Sequence, residues 1–93
     1  MDIQQKDDGK RGAFFIDDNG NTIAEMTYVW AGDHKIIIDH TQIDESLRGK
    51  NVGKQLVHRA VEFARAKQLK IMPLCPFAKK VFERTSEYAD VLF

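Results

Sequence analysis

Along the first half of the chain apolar residues come in short blocks separated by turn formers, and from Val52 the period becomes that of a helix. Residues 10–17 end in the cluster Asp17-Asp18-Asn19-Gly20-Asn21, which predicts a strand, a hairpin turn and a second strand over residues 22–30. Ile23, Met26, Tyr28, Val29 and Trp30 give that second strand its β-branched, aromatic and apolar side chains. Ala31-Gly32-Asp33-His34 breaks it. The uninterrupted run Ile36-Ile37-Ile38 within Lys35–Ile43 predicts a strand in the middle of the sheet, covered on both faces.

Over Val52–Lys67, Val52, Leu56, Ala60 and Phe63, flanked by Val57, Val61 and Ala64, fall on one side at helical spacing. Lys54, Gln55, Arg59, Glu62 and Arg65 form the outer face. A short strand follows over residues 69–73, closed by Pro73. A second helix is predicted over residues 77–85, with Pro76 at its first turn and Phe77, Ala78, Val81 and Phe82 on one side. The tail, residues 86–93, keeps Tyr88, Val91, Leu92 and Phe93 and is expected to pack. Three antiparallel strands followed by helix, parallel strand and helix make a mixed α/β (α+β) sheet, because the crossover returns parallel.

Composition narrows the function classes. With 93 residues the chain is expected to form one domain, residues 1–93, without room for a large enclosed cavity, so a ligand would lie in an open groove. Fourteen Lys and Arg balance 14 Asp and Glu, and no broad positive face for nucleic acid is expected. No apolar run approaches the roughly 20 residues of a bilayer crossing, and the acidic start does not read as a secretory signal. Neither a membrane nor a nucleic-acid partner is therefore expected. The single cysteine fits a reducing, cytoplasmic location. His34, His40, His58 and Cys75 lack the close pairing of a zinc framework, so no metal is expected.

The most informative stretch is Leu47-Arg48-Gly49-Lys50-Asn51-Val52-Gly53-Lys54, between a predicted strand and a helix amino end. Unpaired N–H groups and the positive end of the helix dipole there can hold a phosphate. Gly49 and Gly53 permit positive φ and close approach of an anion, Asn51 tolerates the left-handed region, and Arg48, Lys50 and Lys54 add positive charge. The same residues also read as a plain helix start with solvated lysines. The stretch is not a Walker A loop, since Gln55 stands where a hydroxyl residue is needed, and it lacks the dinucleotide fingerprint.

Arg48-Gly49-Lys50-Asn51-Val52-Gly53 resembles the Arg/Gln-x-x-Gly-x-Gly/Ala acetyl-coenzyme A (acetyl-CoA) loop of the GNAT superfamily of N-acetyltransferases, with Asn51 in place of the first glycine. His40-Thr41-Gln42-Ile43, Pro73-Leu74-Cys75-Pro76-Phe77 and Glu87-Tyr88 extend the likeness over roughly residues 10–93, to the small YjdJ-type branch of that superfamily. The resemblance implies a truncated GNAT fold in which the third predicted strand and the residue 69–73 strand splay apart. The pantetheine arm would enter the gap beside Thr41 to Ile43, and the diphosphate would rest on Arg48, Gly49, Lys50, Asn51, Val52, Gly53 and Lys54.

The chemistry so implied is acetyl transfer to a primary amine of a small molecule or peptide, by direct attack or through an acetyl-cysteine. His40 is the candidate base and Cys75 the candidate proton relay or nucleophile. Each has a plainer reading, His40 as a strand-end histidine bonded to a carbonyl and Cys75 as a small buried hydrophobe. His34 and His58 are expected to be solvated, and Asp17-Asp18 and Asp44-Glu45 to be turn caps. Lys79-Lys80 either reach the 3′-phosphate of CoA or form a solvated helix face. Tyr88 either closes the acyl pocket or belongs to a packed tail. A non-catalytic acyl-CoA-binding module is the alternative function, and the expected state is a monomer or weak dimer.

Overall fold

A computed structural model of the chain describes residues 2–93. Its elements are β1 (Gln4–Asp7), β2 (Arg11–Asp18), β3 (Asn21–Trp30), β4 (Lys35–Ile43), α1 (Val52–Lys67), β5 (Lys70–Pro73) and α2 (Pro76–Arg84). Short 3₁₀ turns occupy Glu45–Leu47 and Ser86–Val91. The strands form one sheet in the order β1-β2-β3-β4-β5, with β4 and β5 parallel and the other neighbours antiparallel. Among the described residues no helix is long and apolar enough to cross a membrane.

The β2–β3 hairpin turns where the sequence predicts. Asn19 and Gly20 both take positive φ, at 51° and 81°, as a two-residue turn between Asp18 and Asn21 requires. β1 is an addition to the predicted order. Its residues Gln4, Gln5, Lys6 and Asp7 are all exposed, so it has no apolar alternation to betray it. Backbone pairing from Gln4↔Phe15 to Asp7↔Gly12 holds it on the edge of β2.

The core lies on one face of the sheet. Phe14, Ile16, Ala24, Met26, Tyr28, Ile36 and Ile38 meet the α1 stripe Val52, Leu56, Val57, Ala60, Val61 and Ala64, all buried. From α2, Ala78, Val81 and Phe82 join the same cluster. Here the Ile36-Ile37-Ile38 run misleads: Ile36 and Ile38 are fully buried under the helices, whereas Ile37 points to the other face and is half-buried. β4 is an inner strand with neighbours on both sides, but β3 is the centre of the sheet and the face opposite the helices is open. The tail packs as expected. Val91 is buried, Phe93 N–H donates to Ile71 C=O at 2.9 Å, and the Lys35 ammonium lies 3.8 Å from the Phe93 ring centre.

Tyr28 ties β1 to this core. Its hydroxyl donates to Asp7 Oδ2 at 2.6 Å and accepts from Gln5 Nε2 at 2.9 Å, while Trp30 Nε1 donates to the same Asp7 oxygen at 3.0 Å. Burial, reinforced by the bond to Asp7, pushes the Tyr28 phenol well above its usual range. Burial also opposes ionisation of Asp7, but bonds from Tyr28, the Gly9 N–H and Trp30 outweigh it and hold the carboxyl below the usual carboxylate range. Gly12 makes the arrangement possible, because a Cβ there would lie 2.3 Å from Tyr28 Cζ and 2.8 Å from the Lys6 carbonyl oxygen.

Gly12→Ala should therefore destabilise the fold by about 1–3 kcal/mol, measured by urea unfolding, and an unchanged midpoint would contradict this packing. Because folded Asp7 ionises at lower pH than the unfolded chain, its contribution is complete above about pH 4 and is lost as pH falls through the folded value. Asp7→Asn should lower stability at neutral pH and flatten its decline between about pH 5 and pH 2. Parallel acid profiles for the two proteins would count against that role.

Candidate active site

The β4–β5 ladder runs from Lys35↔Lys70 only as far as Ile38↔Pro73. Beyond it the chain turns away, and the Leu74 and Cys75 N–H groups both donate to the Ile38 carbonyl, at 3.0 and 3.1 Å. Pro76 then opens α2. Residues 39–43 of β4 consequently have a strand neighbour only on the β3 side, and their outward N–H and C=O groups line a gap.

β4 bends at the same place. Tyr28 pairs with Ile38 and Thr27 with His40, which leaves Asp39 as the extra residue of a β-bulge. The bulge places two successive side chains, Asp39 and His40, on the helix-free face, and Thr27 Oγ1 donates to Asp39 Oδ1 at 2.6 Å across it. Thr41 and Ile43, opposite Met26 and Ala24, return to the helix face. There the buried Cys75 thiol donates to Thr41 Oγ1 at 3.2 Å. Of the predicted site residues, Thr41 and Cys75 are thus brought together, while exposed His40 flanks the gap from the opposite face.

The loop that follows is held at both ends. Asp44 accepts from the Ser46 N–H at 2.9 Å, and that bond holds its carboxyl below the usual range. Leu47 anchors the turn in the core. Lys50 N–H then donates to Leu47 C=O at 3.2 Å, and Gln55 reaches back from Nε2 to Lys50 C=O at 3.2 Å. Gly49 takes φ 80° with open space around it, and Asn51 takes the left-handed conformation, φ 57° and ψ 27°, at the start of α1. Asn51 makes no capping bond and the first turn of α1 holds no acid, so the dipole's positive end is uncompensated there. Arg48 lies 3.5 Å from Glu45, both largely exposed.

Gly53 differs from expectation. It is helical and buried, and a Cβ on it would lie 2.3 Å from Phe77 Cζ and 3.0 Å from Ile43 Cδ1. Its small size serves the close approach of α1 to α2 and β4, whereas positive φ is used only at Gly49 and Asn51 within this loop. Ala78, Val81 and Phe82 are buried as the periodicity predicts, but Phe77, counted with them, is 37% exposed at the first turn of α2 and with Leu74, 59% exposed, forms an apolar rim.

Tyr88 belongs to the packed tail: its hydroxyl is 2.8 Å from His58 Nδ1 and its ring lies 5.7 Å from that of Phe82. His58, expected to be merely solvated, is engaged by that contact. Lys79 and Lys80 are exposed on α2, and His34 is exposed in the turn before β4. Asp17 accepts from Thr22 Oγ1 at 2.7 Å within the hairpin, and with Asp44 it serves as a turn cap. Among the described residues no group of three or more His, Cys, Asp or Glu gathers as a metal site would need.

Residues 13–91 match the family described as GCN5-related N-acetyl-transferase. Protein NATD1 of Gallus gallus is 29% identical over 79 residues, covering 84% of this chain and 72% of that protein. The solution structure of a GCN5-like protein from Staphylococcus aureus is 38% identical, with a TM-score of 0.73 over 97% of this chain and 87% of that one. The aminoglycoside N-acetyltransferase AAC(6')-Iy, solved in complex with CoA, shares the fold at 13% identity, with a TM-score of 0.65 over 89% of this chain and 88% of its own. The open β4–β5 ladder and the glycine-containing helix start thus sit in a chain that belongs to the GCN5-related N-acetyltransferase (GNAT) superfamily.

Proposed function

We propose that residues 1–93 are one minimal acetyltransferase domain, of the small YjdJ-type branch, that transfers an acetyl group from acetyl-CoA to a primary amine. The observation that carries this reading is the coincidence of two features at one end of β4. The strand ladder opens after Ile38, and the next helix starts on two positive-φ residues with no acid in its first turn. A thin arm with amide groups can pair with the free edge of residues 39–43, as an added strand does. A diphosphate attached to that arm then meets the N–H groups of Gly49, Asn51, Val52 and Gly53, with Arg48, Lys50 and Lys54 around them. The CoA in the AAC(6')-Iy complex supports the choice of co-substrate.

Acetyl-CoA supplies an activated acyl carbon. The rest falls to the chain. N–H groups on the free edge of β4 polarise the thioester carbonyl. His40 accepts a proton from the amine, whose lone pair forms the new C–N bond as the C–S bond breaks. Cys75, whose thiol is oriented by its bond to Thr41, gives its proton to the departing thiolate and regains one from solvent. Leu74 and Phe77 shield the arm from water.

Turnover is measured as free thiol released from acetyl-CoA when primary amines are supplied. Thiol release dependent on amine is expected; tight CoA binding with no release for any amine would instead favour the non-catalytic acyl-CoA-binding module. Cys75→Ser should reduce kcat about tenfold or more while CoA affinity stays within about twofold, since the hydroxyl is a poorer acid. Unaltered turnover would return Cys75 to the core. Arg48→Ala should weaken CoA binding about three- to tenfold in calorimetry with little change in thermal stability, because its charge is needed only when a phosphate is present. Equal affinity of the two proteins would remove Arg48 from the site.

A further inference from the structure

Asp39 was not singled out by the sequence; alternation from Ile37 sets it on the helix-free face, and the bulge turns His40 to that same face beside it. It lies next to Ile38, where the β4–β5 ladder ends, on the same face as His40. One carboxylate oxygen is fixed by Thr27 Oγ1 at 2.6 Å. Among the described residues no Lys, Arg or His lies within salt-bridge distance of it. Glu25, on the same face of β3, is by contrast neutralised by Lys6 at 3.5 Å. Lys35 turns its ammonium onto the Phe93 ring. An oriented, uncompensated negative charge therefore stands at the helix-free mouth of the gap. Beside it Ile37 and Met72, paired across β4 and β5 on that face, are half-buried and present an apolar floor.

We infer that Asp39 is a specificity-determining residue that receives the ammonium form of the acceptor on the helix-free face of the sheet, and that the acceptor class is a primary alkylamine with methylene carbons next to nitrogen. The inference rests on the acetyl-transfer reading above. Such an amine, with a pKa near that of lysine at about 10.4, arrives protonated at neutral pH. A carboxylate gathers it, the adjacent imidazole of His40 takes the ammonium proton and passes it to solvent before accepting the second one as the C–N bond forms, and Ile37 and Met72 cover the methylenes. An amine with its own carboxylate one carbon away is repelled by the same charge. Asp39 binds and positions the acceptor and makes no covalent bond.

The test compares n-butylamine with glycine as acceptors for the wild-type protein, Asp39→Asn and Asp39→Glu, with Asp18→Asn in the hairpin turn as a charge-matched control. Asp39→Asn is expected to raise KM for n-butylamine about tenfold with kcat within about twofold, and to narrow the preference for n-butylamine over glycine. Asp39→Glu should recover part of the loss, and Asp18→Asn should behave as wild type. An unchanged KM, or a fall in kcat alone that glutamate does not restore, would overturn the assignment. Titration of the wild-type protein with n-butylammonium, followed by NMR at the Thr27 and His40 amides, reads the binding separately from turnover. Shifts that vanish in Asp39→Asn support the site even where acetyl transfer fails, and no shift in the wild-type protein rejects it even where transfer succeeds.

Discussion

One carbonyl oxygen, that of Ile38, accepts hydrogen bonds from both Leu74 and Cys75, and at that atom the parallel pairing of β4 with β5 stops. A proline closes β5 and another opens α2, so the backbone cannot continue the ladder. Across β4 the extra residue Asp39 bends the strand in the same place. The free edge of residues 39–43, the seat of Cys75 and the direction in which β4 delivers the chain to the Gly49–Asn51 turn all follow from this divergence. A β5 that stayed paired for a further turn of the pleat would fill the gap with backbone.

The small fold supports this opening by placing its packing on one side. Both helices cover the same face, and the 3₁₀ tail adds Val91 and the Phe93 N–H bond along the outer side of β5. Arg65 clamps that tail to α1 through Asp90, with bonds of 2.9 Å from Nε and from Nη2, and through the Glu87 carbonyl at 2.8 Å. These exposed bonds contribute modestly, and the buried apolar cluster carries the stability. The open face keeps its charges close to the strands that line the gap, and an acceptor can reach His40 and Asp39 without crossing a helix.

Local chemistry was legible in the sequence, and non-local registration was not. The α1 stripe, the Asn19-Gly20 turn and the helix-opening Pro76 depend on residues within a few positions of one another, and each stands where the pattern predicts. Asn51 adopts the left-handed angles that its amide side chain tolerates, so the departure from glycine leaves the turn intact. Gln4–Asp7 has no apolar signal and exists as a strand only because β2 offers an edge. The bulge at Asp39 emerges only when β4 is counted against β3, twelve positions away from Asp39 at Thr27. Likewise, the triple isoleucine cannot say whether a second layer covers Ile37, and the contact of Gly53 with Phe77 joins two helices.

Titration of isotope-labelled protein with CoA, with every backbone amide followed by NMR, addresses the link between strand divergence and ligand binding. Shifts are expected to concentrate at Gly49, Asn51 and Gly53 and to continue along residues 39–43 to Cys75, which marks a ligand laid from the helix start into the gap. Shifts confined to the exposed lysines of α2, or none at millimolar CoA, would contradict it.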